Sequence, residues 1–268
     1  MTESSDIRLV AVDMDGTLLD SNKTFDTQRF SAVLKELRDK DIRFVAASGR
    51  QLGGVQRHFE DVGQVDCIAE NGALIIADGK ILALTEINQA AVREAVAVIE
   101  QLPQVGFFAC TVSAAYVLPT VNPDLVDEMR PYYSEIRKVD SFDHCPEPIL
   151  KLALAFPAEV TQEYVGQLSA TLPSSVTATS SGFGFIDVVA AGVNKGVALS
   201  WLTKKMGLAA KNIAAIGDGG NDIEMLQYAG KSLVVANGCA EAKAVADALI
   251  GSNDESGVIA WLETLVAD

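Results

Sequence analysis

The stretch that decides the fold of this chain reads Arg8-Leu9-Val10-Ala11-Val12-Asp13-Met14-Asp15-Gly16-Thr17-Leu18-Leu19. Its apolar half, with valine at alternate positions, is typical of a buried strand in a parallel sheet. Because residues i and i+2 of a strand project to the same side, we expect Asp13 and Asp15 to lie close together at its carboxyl end. Gly16 then lets the chain turn without a Cβ clash, and Thr17 can hydrogen-bond back to the loop.

Two carboxylates held this close repel each other unless one has a raised pKa or a divalent cation lies beside them. Acidic turns at strand ends are also common in α/β proteins. The Asp13/Asp15 pair alone therefore fits either a structural turn or a cation site, and the choice depends on what other strand ends carry.

The composition predicts a globular protein, because 49% of the 268 residues are hydrophobic. This length suits one large domain or two modest ones. No apolar run is long enough to span a bilayer, and the acidic, polar start of the chain is unlike a signal peptide. We therefore expect a cytoplasmic protein with no membrane partner, either a monomer or a small homo-oligomer.

The charge balance is strongly acidic, with 36 Asp and Glu against 21 Lys and Arg, a formal net charge of −15. This argues against nucleic acid as a partner. A small anionic substrate remains compatible, because a bound cation and a local lysine can invert the field inside a cleft. Cys67, Cys110, Cys145 and Cys239 are scattered without a CxxC spacing, which is typical of reduced thiols.

Helical spacing and short apolar runs predict alternating elements after the opening strand. These are a helix over 27–40, a strand over 42–47, a helix over 51–62, a strand over 66–69 and a hairpin that pairs 74–76 with 81–84. The pattern changes over residues 83–190, where helix, strand, strand is repeated. There we expect helices over 88–102, 123–133 and 158–172 and strands over 106–112, 115–119, 149–156, 176–181 and 183–189.

The alternation then resumes. We expect helices over 195–206, 222–228, 240–246 and 257–266 and strands over 212–216, 232–236 and around 249. The fold class is thus α/β, a parallel-sheet core interrupted by an α+β module. Functional groups of such a sheet gather at the carboxyl ends of its strands.

Four clusters fall at predicted strand ends or helix starts: Asp13/Asp15, Ser48-Gly49-Arg50, Asn194-Lys195-Gly196 and Gly217-Asp218-Gly219-Gly220-Asn221-Asp222. Each cluster also has a purely structural interpretation that involves no ligand. Ser48-Gly49 fits a helix N-cap as well as a phosphate contact, Lys195 fits a solvated helix start, and the last cluster fits a Gly-rich turn before an N-cap. Their occurrence together is far more specific than any one of them.

If the four clusters share a cleft, it contains at least three carboxylates, an ammonium, a hydroxyl and Gly-rich backbone. Carboxylate oxygens are ligands for Mg²⁺, which also takes phosphate oxygens of a substrate. Metals that prefer thiolate or imidazole are disfavoured, because none of the clusters contains Cys or His.

These motifs resemble those of the haloacid dehalogenase-like (HAD) phosphatases. The segment Asp13-Met14-Asp15-Gly16-Thr17 resembles the first motif, and Ser48, Lys195 and the 217–222 loop resemble the second, third and fourth. With Glu70-Asn71-Gly72-Ala73 before it, the inserted module is similar to the large α+β cap of the Cof-type subgroup. The resemblance implies a Rossmann-like catalytic core, residues 1–82 and 191–268, and a cap domain for substrate specificity, residues 83–190.

The resemblance also implies a role for each motif residue. Asp13 attacks phosphorus to form an aspartyl-phosphate, and Asp15 is the general acid and base, with a pKa nearer neutrality than that of a free Asp. Ser48 and Lys195 hold phosphate oxygens. The implied Mg²⁺ ligands are Asp13, the backbone carbonyl of Asp15, Asp218, and Asp222 through water or by orienting Lys195. The implied substrate-binding residues are Thr17, Gly49, Arg50, Asn71 and Asn221.

Two positions depart from the family pattern. Ser48 stands where the subgroup often has Thr, which keeps the hydroxyl. The segment Ala236-Asn237-Gly238-Cys239-Ala240 lacks the Met and Asn expected around its glycine, which affects a peripheral polar contact.

The function these residues favour is a Mg²⁺-dependent phosphatase acting on a small phosphorylated metabolite, such as a sugar phosphate or a phosphorylated cofactor. A phosphomutase is the nearest alternative, because a phospho-aspartate can return its phosphate to a second hydroxyl. A catalytically silent metabolite-binding regulator is an alternative of a different class. Release of inorganic phosphate separates the phosphatase from both.

Overall fold

The computed structural model describes residues 6–102, 106–156, 161–182 and 184–267. Within these ranges the strands form two separate sheets, one of eight strands and one of six. The strands are β1 (Leu9–Asp13), β2 (Arg43–Ala47), β3 (Asp66–Ala69), β4 (Leu74–Ala77), β5 (Lys80–Leu84), β6 (Gly106–Cys110), β7 (Ala115–Val117), β8 (Ile136–Lys138), β9 (Lys151–Ala155), β10 (Val176–Gly182), β11 (Phe185–Ala190), β12 (Ile213–Gly217), β13 (Lys231–Val235) and β14 (Ala248–Ile250).

Helices connect these strands and cover the sheets. They are α1 (Thr27–Asp39), α2 (Leu52–Arg57), α3 (Gln89–Ile99), α4 (Pro123–Met129), α5 (Thr161–Thr171), α6 (Lys195–Lys205), α7 (Ile223–Tyr228), α8 (Ala240–Val245) and α9 (Gly257–Ala267). None of the helices in the described ranges is long and apolar enough to cross a membrane.

The larger sheet has the strand order β14-β13-β12-β1-β2-β3-β4-β5. Neighbouring strands from β14 to β3 are parallel, whereas β4 and β5 add an antiparallel hairpin at one edge. The central position of β1, between β12 and β2, brings the carboxyl ends of these three strands side by side. The predicted α/β class with a parallel-sheet core is confirmed.

The alternation of side chains along β1 explains why both faces of the larger sheet are covered. Val10 and Val12 face the cluster built with α1 and α9, while Leu9 and Ala11 face the cluster built with α6, α7 and α8. All residues of β1 are buried. A strand buried on both faces reads as a continuous apolar run, which is what made β1 recognisable.

The smaller sheet has the order β10-β11-β9-β6-β7-β8 and is antiparallel except between β7 and β8. Helices α3 and α5 pack on one of its faces, and α4 packs against the other. We call residues 89–190 the insert and propose that they form the expected cap domain. The boundary expected after residue 82 falls inside β5, which pairs with β4 in the larger sheet.

The helix expected over 51–62 is shorter than predicted and comprises only α2. Its two glycines have low helix propensity and let the insert approach. A side chain at Gly53 would meet Ser134 Oγ, and a Cβ at Gly54 would lie 3.1 Å from the carbonyl oxygen of Tyr132. The insert thus packs directly on the segment that follows Ser48.

Two further differences are local. The helix expected over 123–133 ends at Met129, because Pro131 has no N–H to continue the ladder, and a 3₁₀ turn follows. The three-residue strand β8 was not predicted, since it is too short to show a period. The first residues of the helix expected over 158–172 and residue 183 of the last insert strand lie outside the described residues.

We predict that Phe30→Ala lowers the free energy of unfolding by about 3–5 kcal/mol. Phe30 on α1 is fully buried, with ring centroids 5.1 Å from Phe25 and 5.0 Å from Phe44. Denaturant unfolding followed by fluorescence or circular dichroism measures the change. The control Gln28→Ala, at an exposed position of the same helix, should stay within about 0.5 kcal/mol of the wild type. A loss below about 1 kcal/mol for Phe30→Ala would contradict this packing.

Candidate active site

Three adjacent strands of the larger sheet place the predicted groups side by side at their carboxyl ends. Asp13 ends β1, Ser48 follows β2 and Asp218 follows β12. Parallel pairing aligns Asp13 with Ala47 and Val12 with Ile216, so these ends lie level with one another. A cleft opens between this edge and the insert, and Asp13, Asp15, Ser48 and Asp218 line it.

The ammonium of Lys195 lies at the centre of the site and is completely buried. Its Nζ donates to Asp13 Oδ1 at 2.5 Å and to Asp222 Oδ1 at 2.7 Å. The side chain of Asn194 caps α6 by accepting from the N–H of Val197, which places Lys195 on the first turn. Burial disfavours the charged amine, but the two carboxylates outweigh it and raise the pKa of Lys195.

The 217–222 loop is held by its own acidic residues. Asp222 Oδ2 accepts from the backbone N–H groups of Asp218 and Gly219, each at 3.0 Å. Asp222 therefore contacts both Lys195 and the backbone of its own loop, while its predicted role toward a metal stays a prediction. Thr17 Oγ1 donates to Asp218 Oδ1 at 2.7 Å, so this hydroxyl positions Asp218. Thr17 is not among the residues that line the cleft, where a substrate contact was expected.

Carboxylate oxygens of Asp13, Asp218 and Asp222 all lie within 4.8 Å of one another. Three carboxylates against one ammonium leave two formal negative charges uncompensated in a buried site. Burial together with repulsion from Asp222 raises the pKa of Asp13 well above its ordinary value and also raises that of Asp218. A cluster of oxygen ligands with this excess of negative charge fits a hard divalent cation such as Mg²⁺.

Asp15 has a different environment from the one expected of it. Arg50 holds its carboxylate with two hydrogen bonds, Nε to Oδ2 at 2.5 Å and Nη2 to Oδ1 at 2.7 Å, and Lys23 Nζ lies 3.1 Å from Oδ1. Burial opposes the charge, but these contacts outweigh it and lower the pKa of Asp15 to about 2. The expectation of a near-neutral Asp15 pKa is therefore wrong for this arrangement.

The Ser48–Arg50 loop lines the cleft. Ser48 Oγ accepts from the backbone N–H of Arg50 at 3.1 Å, which closes the turn between β2 and α2. At Gly49, a Cβ would lie 3.0 Å from Asn71 Oδ1 and 3.3 Å from Asp187 Oδ2, so a larger residue would require these side chains to shift. The N-cap of α2 is Gln51 and not Ser48, so the helix-cap interpretation of Ser48 is wrong, and its phosphate contact stays a prediction.

Asn71 and Asn221 make contacts with each other. Asn221 Nδ2 donates to Asn71 Oδ1 at 3.1 Å, and Asn71 Nδ2 donates to Asp187 Oδ2 at 2.6 Å. Asn71 is buried with its amide used inside the protein, and it does not line the cleft, whereas Asn221 does. The geometry therefore gives Asn71 a supporting position instead of the predicted substrate contact.

Several groups at the site were not predicted. Asn237 Nδ2 donates to the carbonyl of Gly16 at 2.7 Å and its Oδ1 accepts from the N–H of Asn253, so it braces the first motif. Its Asn-Gly pair was a visible turn signal. Lys23, Lys151 and Asp187 also reach the cleft, and no local pattern in the sequence marked them.

The insert supplies a largely apolar side of the cleft. The aromatic rings of Tyr132 and Phe185 lie 5.7 Å apart, and the guanidinium of Arg50 lies 5.6 Å from the centre of the Tyr132 ring. Leu125 and Val121 continue this side. This side of the cleft suits an apolar or planar group.

Comparison with known proteins matches residues 10–262 to the family model described as haloacid dehalogenase-like hydrolase. The chain is 32% identical over 254 residues to 5-amino-6-(5-phospho-D-ribitylamino)uracil phosphatase YbjI of Escherichia coli (strain K12), covering 94% of each protein. It is 27% identical over 263 residues to the phosphatase of the same description, YcsE, of Bacillus subtilis (strain 168), covering 96% of this chain and 94% of that protein.

A solved structure, that of SMU.1108c from Streptococcus mutans UA159, superposes with a TM-score of 0.92 at 33% identity and covers 98% of this chain and 100% of the other. Motifs, fold and relatives agree over nearly the whole length. The chain belongs to the haloacid dehalogenase-like hydrolases, as a Cof-type phosphatase that hydrolyses phosphoric monoesters.

Proposed function

We propose that this protein is a Mg²⁺-dependent phosphatase that hydrolyses a small phosphorylated metabolite through an aspartyl-phosphate on Asp13. The observation that carries the proposal is the buried ammonium of Lys195 shared by Asp13 and Asp222, with Asp218 beside them, so that three carboxyl groups surround one ammonium. Such a site favours a cation and a phosphate that arrive together.

In the proposed reaction, Asp13 is the nucleophile. One of its carboxylate oxygens forms a bond to phosphorus while the bond from phosphorus to the ester oxygen breaks. Water then attacks phosphorus and gives a proton to the Asp15 carboxylate, while the bond from phosphorus to Asp13 breaks; this releases inorganic phosphate and restores the Asp13 carboxylate. Lys195 holds Asp13 in one orientation throughout. Mg²⁺, held by Asp13, Asp218, the Asp15 carbonyl and the support of Asp222, would supply charge neutralisation between the anionic nucleophile and the phosphate.

In the proposed acid–base step, the ion pair between Asp15 and Arg50 controls whether Asp15 is protonated. While Arg50 and Lys23 contact Asp15, that carboxyl group stays ionised and has no proton to donate. A phosphate dianion in the cleft competes for both cations. Loss of these contacts removes the interactions that depress the Asp15 pKa and lets it protonate the leaving oxygen. Ser48, Gly49 and Asn221, which line the same cleft, are proposed phosphate contacts.

We propose as the first substrate to test the compound in the names of two relatives, 5-amino-6-(5-phospho-D-ribitylamino)uracil. Its planar ring suits the aromatic side of the cleft formed by Tyr132 and Phe185. Sugar phosphates and other phosphorylated cofactors belong in the same screen. Substrates of this kind fit a cytoplasmic location. Phosphate release without a bisphosphate activator supports hydrolysis over a mutase reaction.

We predict that Asp13→Asn lowers kcat by at least about 10⁴-fold, because the amide keeps the shape of the side chain but is not a nucleophile. Phosphate release from the best metabolite measures the loss, and thermal unfolding checks that the variant is folded. Asp39→Asn, an exposed carboxylate on α1, is the matched control and should keep wild-type activity. Near wild-type hydrolysis by folded Asp13→Asn would rule out this nucleophile.

Turnover should require Mg²⁺ and should fail with Ca²⁺. Mg²⁺ demands near-octahedral geometry, whereas Ca²⁺ accepts more oxygens and could be bound by both oxygens of Asp13, blunting its attack. Phosphate release is measured after chelation and after each metal is added back. Restoration by Mg²⁺ alone is expected, and full turnover in chelator would contradict the role given to Asp13, Asp218 and Asp222.

Substitutions on the apolar side of the insert should change which metabolite is preferred. Phe185→Ala and Leu125→Ala remove cleft-lining surface that the insert supplies. We expect kcat/KM for the best metabolite to fall about tenfold or more, and that for p-nitrophenyl phosphate to fall much less. Equal proportional losses of kcat/KM on both substrates would show that these side chains do not contribute to recognition of the leaving group.

A further inference from the structure

A second buried cluster of charges lies where the insert meets the larger sheet, apart from the proposed cation site. Lys151 of β9 places its Nζ 2.9 Å from Glu70 Oε2 and 3.4 Å from Asp187 Oδ1. The same ammonium donates to the carbonyl oxygen of Gly49 at 2.5 Å. All three charged residues are buried, with residue exposures of 4% for Lys151, 0% for Glu70 and 3% for Asp187.

The proposed chemistry makes no use of these charges, although burying them is costly. Burial penalises the ammonium, but Asp187 and Glu70 outweigh it and raise the pKa of Lys151. The insert could attach to the larger sheet without them. Gln51 already links the two by donating to the carbonyl of Thr111 and accepting the N–H of Ser134, each at 3.0 Å.

From this cluster, contacts run to the second-motif loop. The backbone N–H of Glu70 donates to the carbonyl of Arg50 at 3.1 Å, and that of Asn71 donates to the carbonyl of Ser48 at 3.0 Å. With the bond from Lys151 to Gly49, every carbonyl from Ser48 to Arg50 is held by the 70–71 turn or by the insert. Glu70 and Asn71 both adopt left-handed backbone, with φ of 51° and 54°, to make this turn.

A second line of contacts runs from Asp187 to the fourth-motif loop. Asn71 Nδ2 donates to Asp187 Oδ2. The other atom of the same amide, Asn71 Oδ1, accepts from Asn221 Nδ2. Asn221 shares its loop with Asp218 and Asp222. A carboxylate on the insert thereby determines which way the Asn71 amide faces, and the amide determines where the Asn221 side chain lies.

We propose that Lys151 and Asp187 are positioning residues for phosphoryl transfer: from the insert, they hold the Ser48–Arg50 loop and Asn221 in the arrangement that receives the phosphate. This rests on the proposed function. Part of the insert thus completes the phosphate-binding side of the cleft, in addition to contacting the leaving group.

The test compares Asp187→Ala with Asp187→Asn. Alanine leaves Asn71 Nδ2 without its acceptor, whereas asparagine keeps an oxygen there. Lys151 retains Glu70 and Gly49 in both variants, so both should fold. We expect Asp187→Ala to lower kcat about tenfold to a hundredfold on the best metabolite and on p-nitrophenyl phosphate alike, with KM changed less than about threefold. Asp187→Asn should recover most of that loss.

Two comparison variants separate positioning from other effects. Phe185→Ala lies two residues earlier on β11 and also lines the cleft, and its loss should be concentrated on the metabolite. Asp143→Ala removes a carboxylate of the insert that pairs only with Gln89 and Arg93 among the contacts described, all within the insert. It should leave both activities unchanged.

Hydrogen exchange supplies a readout that does not depend on turnover. Peptides covering 47–52 and 217–223 should exchange at least about threefold faster in Asp187→Ala than in the wild type, and near the wild-type rate in Asp187→Asn. Equal kinetic loss on both substrates with faster exchange supports the proposal. A loss confined to the metabolite, no loss, or unchanged exchange overturns it. If the wild type hydrolyses no phosphate ester, the proposed function fails, and the exchange comparison still decides whether Asp187 positions these loops.

Discussion

The site depends on one buried cation, the ammonium of Lys195 between Asp13 and Asp222. It allows two carboxylates to lie near each other at the edge of a sheet, away from water. Removing it would leave Asp13, Asp218 and Asp222 in mutual repulsion with no positive group among them. The Asn194 cap, the first turn of α6 and the 217–222 loop all serve to bring that ammonium to the end of β1.

Charge balance is the common principle of the cleft. Around Asp13 the carboxylates exceed the cations, which favours binding of a divalent cation. Around Asp15 the cations exceed the carboxylates, because Arg50 and Lys23 both contact it, which favours binding of a phosphate dianion. The two imbalances are opposite in sign and adjacent, so a cation and a phosphate together would neutralise a cleft that neither neutralises alone.

The insert meets the larger sheet in two physically different ways. Its apolar side, with Tyr132 and Phe185, lines the open part of the cleft. Lys151 and Asp187 also border the cleft, but they are buried and contact Glu70, Asn71 and Gly49. Glycines in α2 permit this close approach.

The sequence by itself determined the central strand, the positions of the four motifs and the presence of an inserted α+β module. These features are local: a strand buried on both faces is a continuous apolar run, and polar clusters at strand ends stand out against it. Only the tertiary structure decided the partners of Asp15, the inward-facing amide of Asn71 and the Lys151–Glu70–Asp187 cluster. Asn71 and Asp187 are 116 positions apart, one in the turn after β3 and the other on β11 of the smaller sheet. Periodicity within a segment carries no information about which distant side chain completes a buried charge.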